Sequence, residues 1–139
     1  MDEVVRLWEG AAKQEHAMAQ FNLGAMYDKG QGVKQDYSKA REWYEKAAKQ
    51  EYASAQYNLG LMYANGHGVK QEDLSKAREW WEKAAKQEHA KAQCNLGVMY
   101  DHGDGVKQDF SKAREWFEKA AKQEYAKACL LYTSPSPRD

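Results

Sequence analysis

Cysteine is scarce in this sequence: Cys94 and Cys129 are the only two, and their spacing matches neither a disulfide framework nor a metal-ligand cluster. Charge of one sign is missing too. Lys plus Arg and Asp plus Glu both number 21, so no positive excess exists to attract phosphate backbones, and nucleic acid is not an expected partner. Apolar runs extend only a few residues, well short of the roughly 20 that a membrane span needs. The start, Met-Asp-Glu-Val-Val-Arg, lacks the basic and apolar regions of a signal peptide, so the chain as given reads as soluble and cytoplasmic. Because it begins inside a repeat, a periplasmic or secreted location stays open. Both prolines fall in the last five residues.

What is present is repetition. Asn-Leu-Gly-x-Met-Tyr starts at Asn22, Asn58 and Asn95, spacings of 36 and 37 residues. Each copy leads into Gly-x-Gly-Val and then Ser-Lys-Ala-Arg-Glu-Trp. A unit that short cannot bury its own apolar face, so neighbours must stack on it. The division is a helix-B half repeat over 1–15, full repeats over 16–51, 52–88 and 89–124, and a fourth start over 125–139. That start breaks at Cys129 into Leu-Leu-Tyr-Thr-Ser-Pro-Ser-Pro-Arg-Asp. The abrupt loss of register reads as a splice, cloning or assembly scar and enters no functional reading.

Each unit predicts two helices. Helix A runs from about Ala17 to Asp28, with Ala19, Leu23, Met26 and Tyr27 on one apolar face. Gly24, Gly60 and Gly97 lie inside it at about 1 kcal/mol each, which predicts another backbone packed against them. The Gly30-Gln31-Gly32-Val33 loop follows, where left-handed glycines close the helix. It is a structural turn: Gly-x-Gly-x-x-Gly or Gly-Lys-Ser/Thr would be needed to hold phosphate. Asp101 and Asp104 likewise miss the calcium-loop spacing. Neither cofactor nor metal is expected.

Helix B runs from about Tyr37 to Lys49, capped by Asp36, with Ala40, Trp43, Tyr44 and Ala47 as its buried stripe. Trp43, Trp80 and Trp116 are therefore read as core. Glu42 with Lys46 and Glu45 with Lys49 have the favourable i to i+4 spacing on its outer face. The extra residue of repeat two, at Glu72-Asp73, falls in the loop before helix B. Upstream, Val4 to Ala12 aligns with helix B, Leu7 standing where Trp43 does and Trp8 where Tyr44 does.

Ala-x-Ala-Gln-x-Asn-Leu-Gly-x-Met-Tyr-x-x-Gly-x-Gly-Val-x-x-Asp, followed by Lys-Ala-x-x-Trp-Tyr-x-Lys-Ala-Ala, resembles the Sel1-like repeat, a relative of the tetratricopeptide repeat. The resemblance covers about Val4 to Ala128. It implies an all-α fold, a right-handed superhelical solenoid of stacked helix-turn-helix units, whose members act mostly as adaptors in bacterial envelope or signalling pathways and in eukaryotic protein quality control. A cysteine-rich branch is associated with β-lactams, but the cysteine pair per repeat that defines it is missing here. The chain also departs from the family at Glu15, Glu51, Glu88 and Glu124, where glycine is usual after helix B, which puts that turn in question.

Against this fixed scaffold the copies differ at Met18/Ser54/Lys91, Phe21/Tyr57/Cys94, Ala25/Leu61/Val98, Asp28/Ala64/Asp101 and Lys29/Asn65/His102. These positions fall within an arc of about 100 degrees on helix A. Stacked positions cannot vary without cavities or clashes, so the variable stripe is expected to face solvent. In related superhelices helix A lines the concave groove, so the stripe is the expected binding surface. Asn22, Asn58 and Asn95 border it, and their amides can donate to and accept from a peptide backbone. The same amides can serve a neighbouring helix, and the sequence leaves both roles open. His16 and His89 alternate with Tyr52 and Tyr125, a site that needs an amphipathic ring rather than a proton carrier. No nucleophile, base and acid recur together.

The expectation is a monomeric, non-catalytic adaptor that binds a peptide or partner helix of another protein. From a different class, an envelope-associated binder or hydrolase of peptidoglycan-like or β-lactam substrates rests on distant family analogy alone.

Overall fold

The computed structural model describes residues 16–69 and 72–123, together with 3, 4, 6, 7 and 9. Within residues 16–123, six helices of equal length follow one another: α1 (Ala17–Lys29), α2 (Tyr37–Lys49), α3 (Ala53–Asn65), α4 (Leu74–Lys86), α5 (Ala90–His102) and α6 (Phe110–Lys122); residues 3, 4, 6, 7 and 9 are helical as well. No strand occurs among the described residues. Each helix packs chiefly against the one before and the one after it, which makes an α/α solenoid of helix-turn-helix units. The fourth-repeat start, the tail, Glu15, Glu124, Trp8 and Ala12 lie outside the described residues.

Local chemistry sets the helix ends. Asp36, Asp73 and Asp109 each sit in extended backbone and accept from the amide three residues on, at 3.1 Å in every copy. Each A helix ends on a left-handed glycine: Gly30, Gly66 and Gly103 have φ of 70, 72 and 73°. The extra residue of repeat two is taken up between Gly66 and the cap Asp73, so α4 keeps the length of α2 and α6.

The turn after helix B survives its missing glycine. Glu51 and Glu88 hold φ of 63 and 64°, a left-handed conformation in which a Cβ crowds the following carbonyl at a cost of about 1–2 kcal/mol. Packing on both sides imposes this backbone on a residue that does not favour it.

A buried glutamine joins three helices. The Gln56 side chain on α3 is fully buried; its Nε2 donates to Ala48 O in the last turn of α2 at 3.1 Å, and its Oε1 accepts from Gln87 Nε2 after α4 at 2.8 Å. Gln93 repeats this with Ala85 O and Gln123, and Gln20 accepts from Gln50. Carbonyls in a helix's last turn lack intrahelical donors, so this amide both ties the end of one repeat and registers the next upon it.

Other ties cross the same interface. Arg41 Nε donates to Gly68 O in the following repeat's loop at 2.7 Å. Gly68 lies so close to the Tyr37 carbonyl that a Cβ there would collide with it, and Gly105 crowds Leu74 in the same way. The Tyr63 and Tyr100 hydroxyls donate to Glu45 and Glu82 of the preceding helix B at 3.5 and 3.4 Å. Tyr27 does the same to Glu9 at 3.4 Å, so Glu9 stands to repeat one as Glu45 stands to repeat two.

Three expectations need correction. What packs on the interior glycines is chiefly an aromatic ring rather than a backbone: a Cβ on Gly24 would come within 2.7 Å of Tyr44, and Trp81 and Phe117 stand likewise against Gly60 and Gly97. Helix B therefore buries the residue after Trp43, and Trp43, Trp80 and Trp116 themselves are only partly buried. Their rings lie under Lys46, Lys83 and Lys119, 4.4 to 4.7 Å from centroid to ammonium. Lys46 is thus drawn to Trp43 rather than Glu42. Ion pairs on this face run instead from Arg41 to Glu45 (2.9 Å) and from Arg78 to Glu82 (3.1 Å).

Two stability outcomes follow. Glu88→Gly is expected to raise the urea midpoint by the equivalent of about 1 kcal/mol, relief of the left-handed Cβ exceeding the added entropy of the unfolded chain. Gln56→Leu is expected to cost about 3 kcal/mol, about one for each of its hydrogen bonds to Ala48, Glu51 and Gln87. Equal midpoints for Gln56→Leu and the parent would remove the glutamine from the account of stacking.

Candidate functional site

The A helices carry the site because the B helices bury their aromatic rings against them. Phe21, on α1, faces partly outward yet packs on Tyr44 (ring centroids 5.8 Å) and on Tyr52 of the next repeat (5.3 Å). One repeat on, Tyr57 stacks on His89 at 4.8 Å. The residues opening α3 and α5 thus cover the variable ring of the preceding repeat, which is the ring role expected of the His89 and Tyr52 position. His89 also caps α5, its Nδ1 accepting from Ala92 N–H at 3.3 Å. Burial first, then the Lys91 charge, hold its pKa below the usual histidine value.

Above these rings lies an open groove of about 710 Å³, centred on α3. From the variable stripe it takes Phe21, Asp28 and Lys29 of α1, Ser54, Tyr57, Leu61 and Asn65 of α3, and Lys91 of α5. Asn58 is in its wall as well. Residues outside the predicted stripe complete it: Tyr37, Met62, His67, His89 and Ala90. His67 is the variable residue of the Gly66-His67-Gly68 turn, and its ring lies 4.4 Å from that of Tyr37, 8° from parallel. The loop residue between two glycines was visible as a point of variation (Gln31, His67, Asp104), but its reach back to the preceding helix B was not.

The rest of the stripe lies elsewhere. Met18 is 58% exposed outside the groove. Asn22, Ala25, Asn95 and Val98 are half-buried and do not line it. Asp101 stands 3.6 Å from His102, which is equally far from Asp104, and this cluster is also apart from the groove. Cys94 contradicts the solvent-facing expectation outright: it is 2% exposed and disulfide-bonded, the chain's other cysteine, Cys129, lying outside the described residues. The scarcity of cysteine concealed that bond.

Variation in the stripe is also tied to packing. Tyr44 is 1% exposed, and its hydroxyl donates to Asp28 Oδ2 at 3.2 Å. Where Asp28 gives way to Ala64, the facing residue becomes Trp81, whose Nε1 donates to Tyr57 O at 3.0 Å instead. Where the ring is Phe117, with no donor, Asp101 turns to His102. The Asn58 amide acts on the Tyr44 hydroxyl too, lowering its pKa against the larger opposing causes, so one asparagine serves its neighbouring repeat while edging the groove.

Burial, followed by the Asp28 charge, pushes the Tyr44 phenol far above its ordinary pKa of 10.0. Above pH 10 the unfolded chain releases a proton that the fold retains, so stability falls as pH rises. Tyr44→Phe is expected to remove about 1.4 kcal/mol per pH unit of that alkaline slope, read from urea midpoints above pH 10. An unchanged slope would show that the hydroxyl is not held as described.

Comparison with known proteins places these features. The chain resembles the crystal structure of c5321, a protective antigen present in uropathogenic Escherichia coli strains displaying an SLR fold, at 42% identity and a TM-score of 0.82, over 86% of this chain and 25% of that one. It resembles a Sel1 repeat protein from Oxalobacter formigenes at 39% identity and 0.76, over 86% of this chain and 49% of that one. Helicobacter pylori cysteine rich protein B is similar at 25% identity and 0.70, over 91% and 96%. The chain therefore spans a quarter to a half of the first two. Among curated proteins no match was found. The Sel1 repeat model matches three times in tandem, over residues 17–52, 53–89 and 90–125. With every unit built on the same caps, glycines and buried amides, the chain belongs to the Sel1 repeat family.

Proposed function

We propose that this chain is a non-catalytic adaptor that holds a peptide or a partner helix of another protein in the groove over α3. Members of the Sel1 repeat family are commonly protein-interaction scaffolds. The observation that carries the reading is the groove itself: about 710 Å³, and walled largely by positions at which otherwise near-identical repeats differ. That volume is within the range of sites that hold small ligands or a few side chains. Its rings are held by stacking, so little side-chain entropy remains to be lost when a partner docks.

The polar groups suit a main chain. Ser54, Asn58 and Asn65 provide donors and acceptors along one wall of α3, with Tyr57 and Leu61 between them. An extended segment can alternate its contacts between these, and an amphipathic helix can lay its apolar face on Phe21, Tyr57 and Leu61. No helix among the described residues is long and apolar enough to cross a membrane.

Ser54→Trp tests this. Ser54 is the second residue of α3 and half-buried in the groove wall, so an indole there obstructs the groove and leaves the stacking interface untouched. Displayed random dodecapeptides are expected to enrich on the immobilised chain and to lose at least about tenfold in affinity on the variant, with helical signal and melting point unchanged. Equal enrichment on both proteins would move binding away from the groove. Nitrocefin turnover by the pure parent chain would overturn the non-catalytic reading.

A further inference from the structure

The groove's charges are unequal, and the inequality specifies the partner. Two lysines line it, Lys29 at the last position of α1 and Lys91 in the first turn of α5, and both are exposed. The single carboxylate among the lining residues is Asp28, which accepts the Tyr44 hydroxyl. His89 contributes no cation near neutrality, since its Nδ1 accepts from Ala92 N–H. The chain as a whole is neutral, so this excess is a property of the groove and not of the surface at large.

Between the lysines the lining is apolar and aromatic. Phe21 and Tyr57 present rings covered on one side by the following repeat, and Leu61 and Met62 continue the surface. Lys29 and Lys91 belong to A helices two repeats apart, at opposite helix ends. The helix at the centre of the groove, α3, lies between theirs in the array, so the two lysines flank the apolar lining from either side.

From this arrangement we infer that the groove takes an acidic peptide segment of another protein, with an apolar or aromatic middle and Asp or Glu toward both ends. The inference rests on the adaptor reading above and adds the partner's chemistry to it. Exposed lysines act here as selectors. They speed encounter with an acidic partner and repel a basic one, and their effect weakens with salt.

The test uses the full chain and random displayed dodecapeptides, selected in parallel on the parent and on Lys29→Glu/Lys91→Glu. Both side chains are exposed at helix ends, so the helical signal and melting point of the variant serve as its folding control. Enriched peptides are expected to carry net negative charge on the parent and to shift toward positive on the variant. A labelled acidic peptide from the parent pool should bind the variant at least about tenfold more weakly, a difference that shrinks with added salt. Neutral or basic peptides enriched on the parent, but lost on Ser54→Trp, would overturn the acidic partner and leave the groove intact. Enrichment indifferent to Ser54→Trp would overturn the groove, and the inference with it.

Discussion

One primary amide per repeat determines where every other part of this solenoid sits. Gln56 has no solvent contact, and it bonds at once to the last turn of the helix behind it and to the residue that ends the helix ahead. A buried amide that found only one of these partners would be destabilising, because the unmet group keeps its desolvation cost. Apolar stacking is tolerant of small slips and hydrogen bonds are not. Two short bonds on one amide therefore fix the register of three helices, and repetition at Gln93 carries that register forward.

Fixed register explains how strain is tolerated at Glu51 and Glu88. A left-handed non-glycine is costly, yet the chain must reverse there so that Gln56 and Gln93 meet Ala48 and Ala85. Glu51 offsets part of the cost, since its Oε2 accepts from Gln56 Nε2 at 3.3 Å. The departure from the family's usual glycine thus alters the energy of the turn and not its path.

Whatever depends on a residue's own neighbours was legible in the sequence. Asp36, Asp73 and Asp109 cap their helices because an aspartate before a helical run can scarcely do otherwise, and left-handed glycines end the A helices for an equally local reason. What depends on the next repeat was harder to read. Trp43 and Tyr44 are adjacent, and periodicity places both within reach of the core; only the approach of Gly24 decides that Tyr44 is the buried one. Gln20, Gln56 and Gln93 did leave a signal: an invariant polar residue between buried alanine and leucine on a stacked face must have partners. The groove was half legible. Variation located Phe21, Tyr57, Leu61 and Lys91, but Tyr37 and His67 enter it through a stack between two repeats, and Cys94, buried and disulfide-bonded, is not part of it.

Among the described residues, Cys94 also explains why the groove lies over α3 and takes only Ala90 and Lys91 from α5. At the equivalent position Phe21 and Tyr57 each offer a ring that the next repeat's first residue covers on one side. The small, buried, disulfide-bonded side chain of Cys94 offers no such ring, and beyond it His102 lies 3.6 Å from both Asp101 and Asp104. Apolar floor therefore exists where two successive rings are followed by Leu61, and it ends where the third ring is missing. In an array whose buried positions are nearly invariant, the extent of a binding surface is set by how many consecutive copies keep the same kind of variable residue. Here two do, so a partner of the proposed kind would meet an apolar floor only a few residues long, with the lysines beyond it.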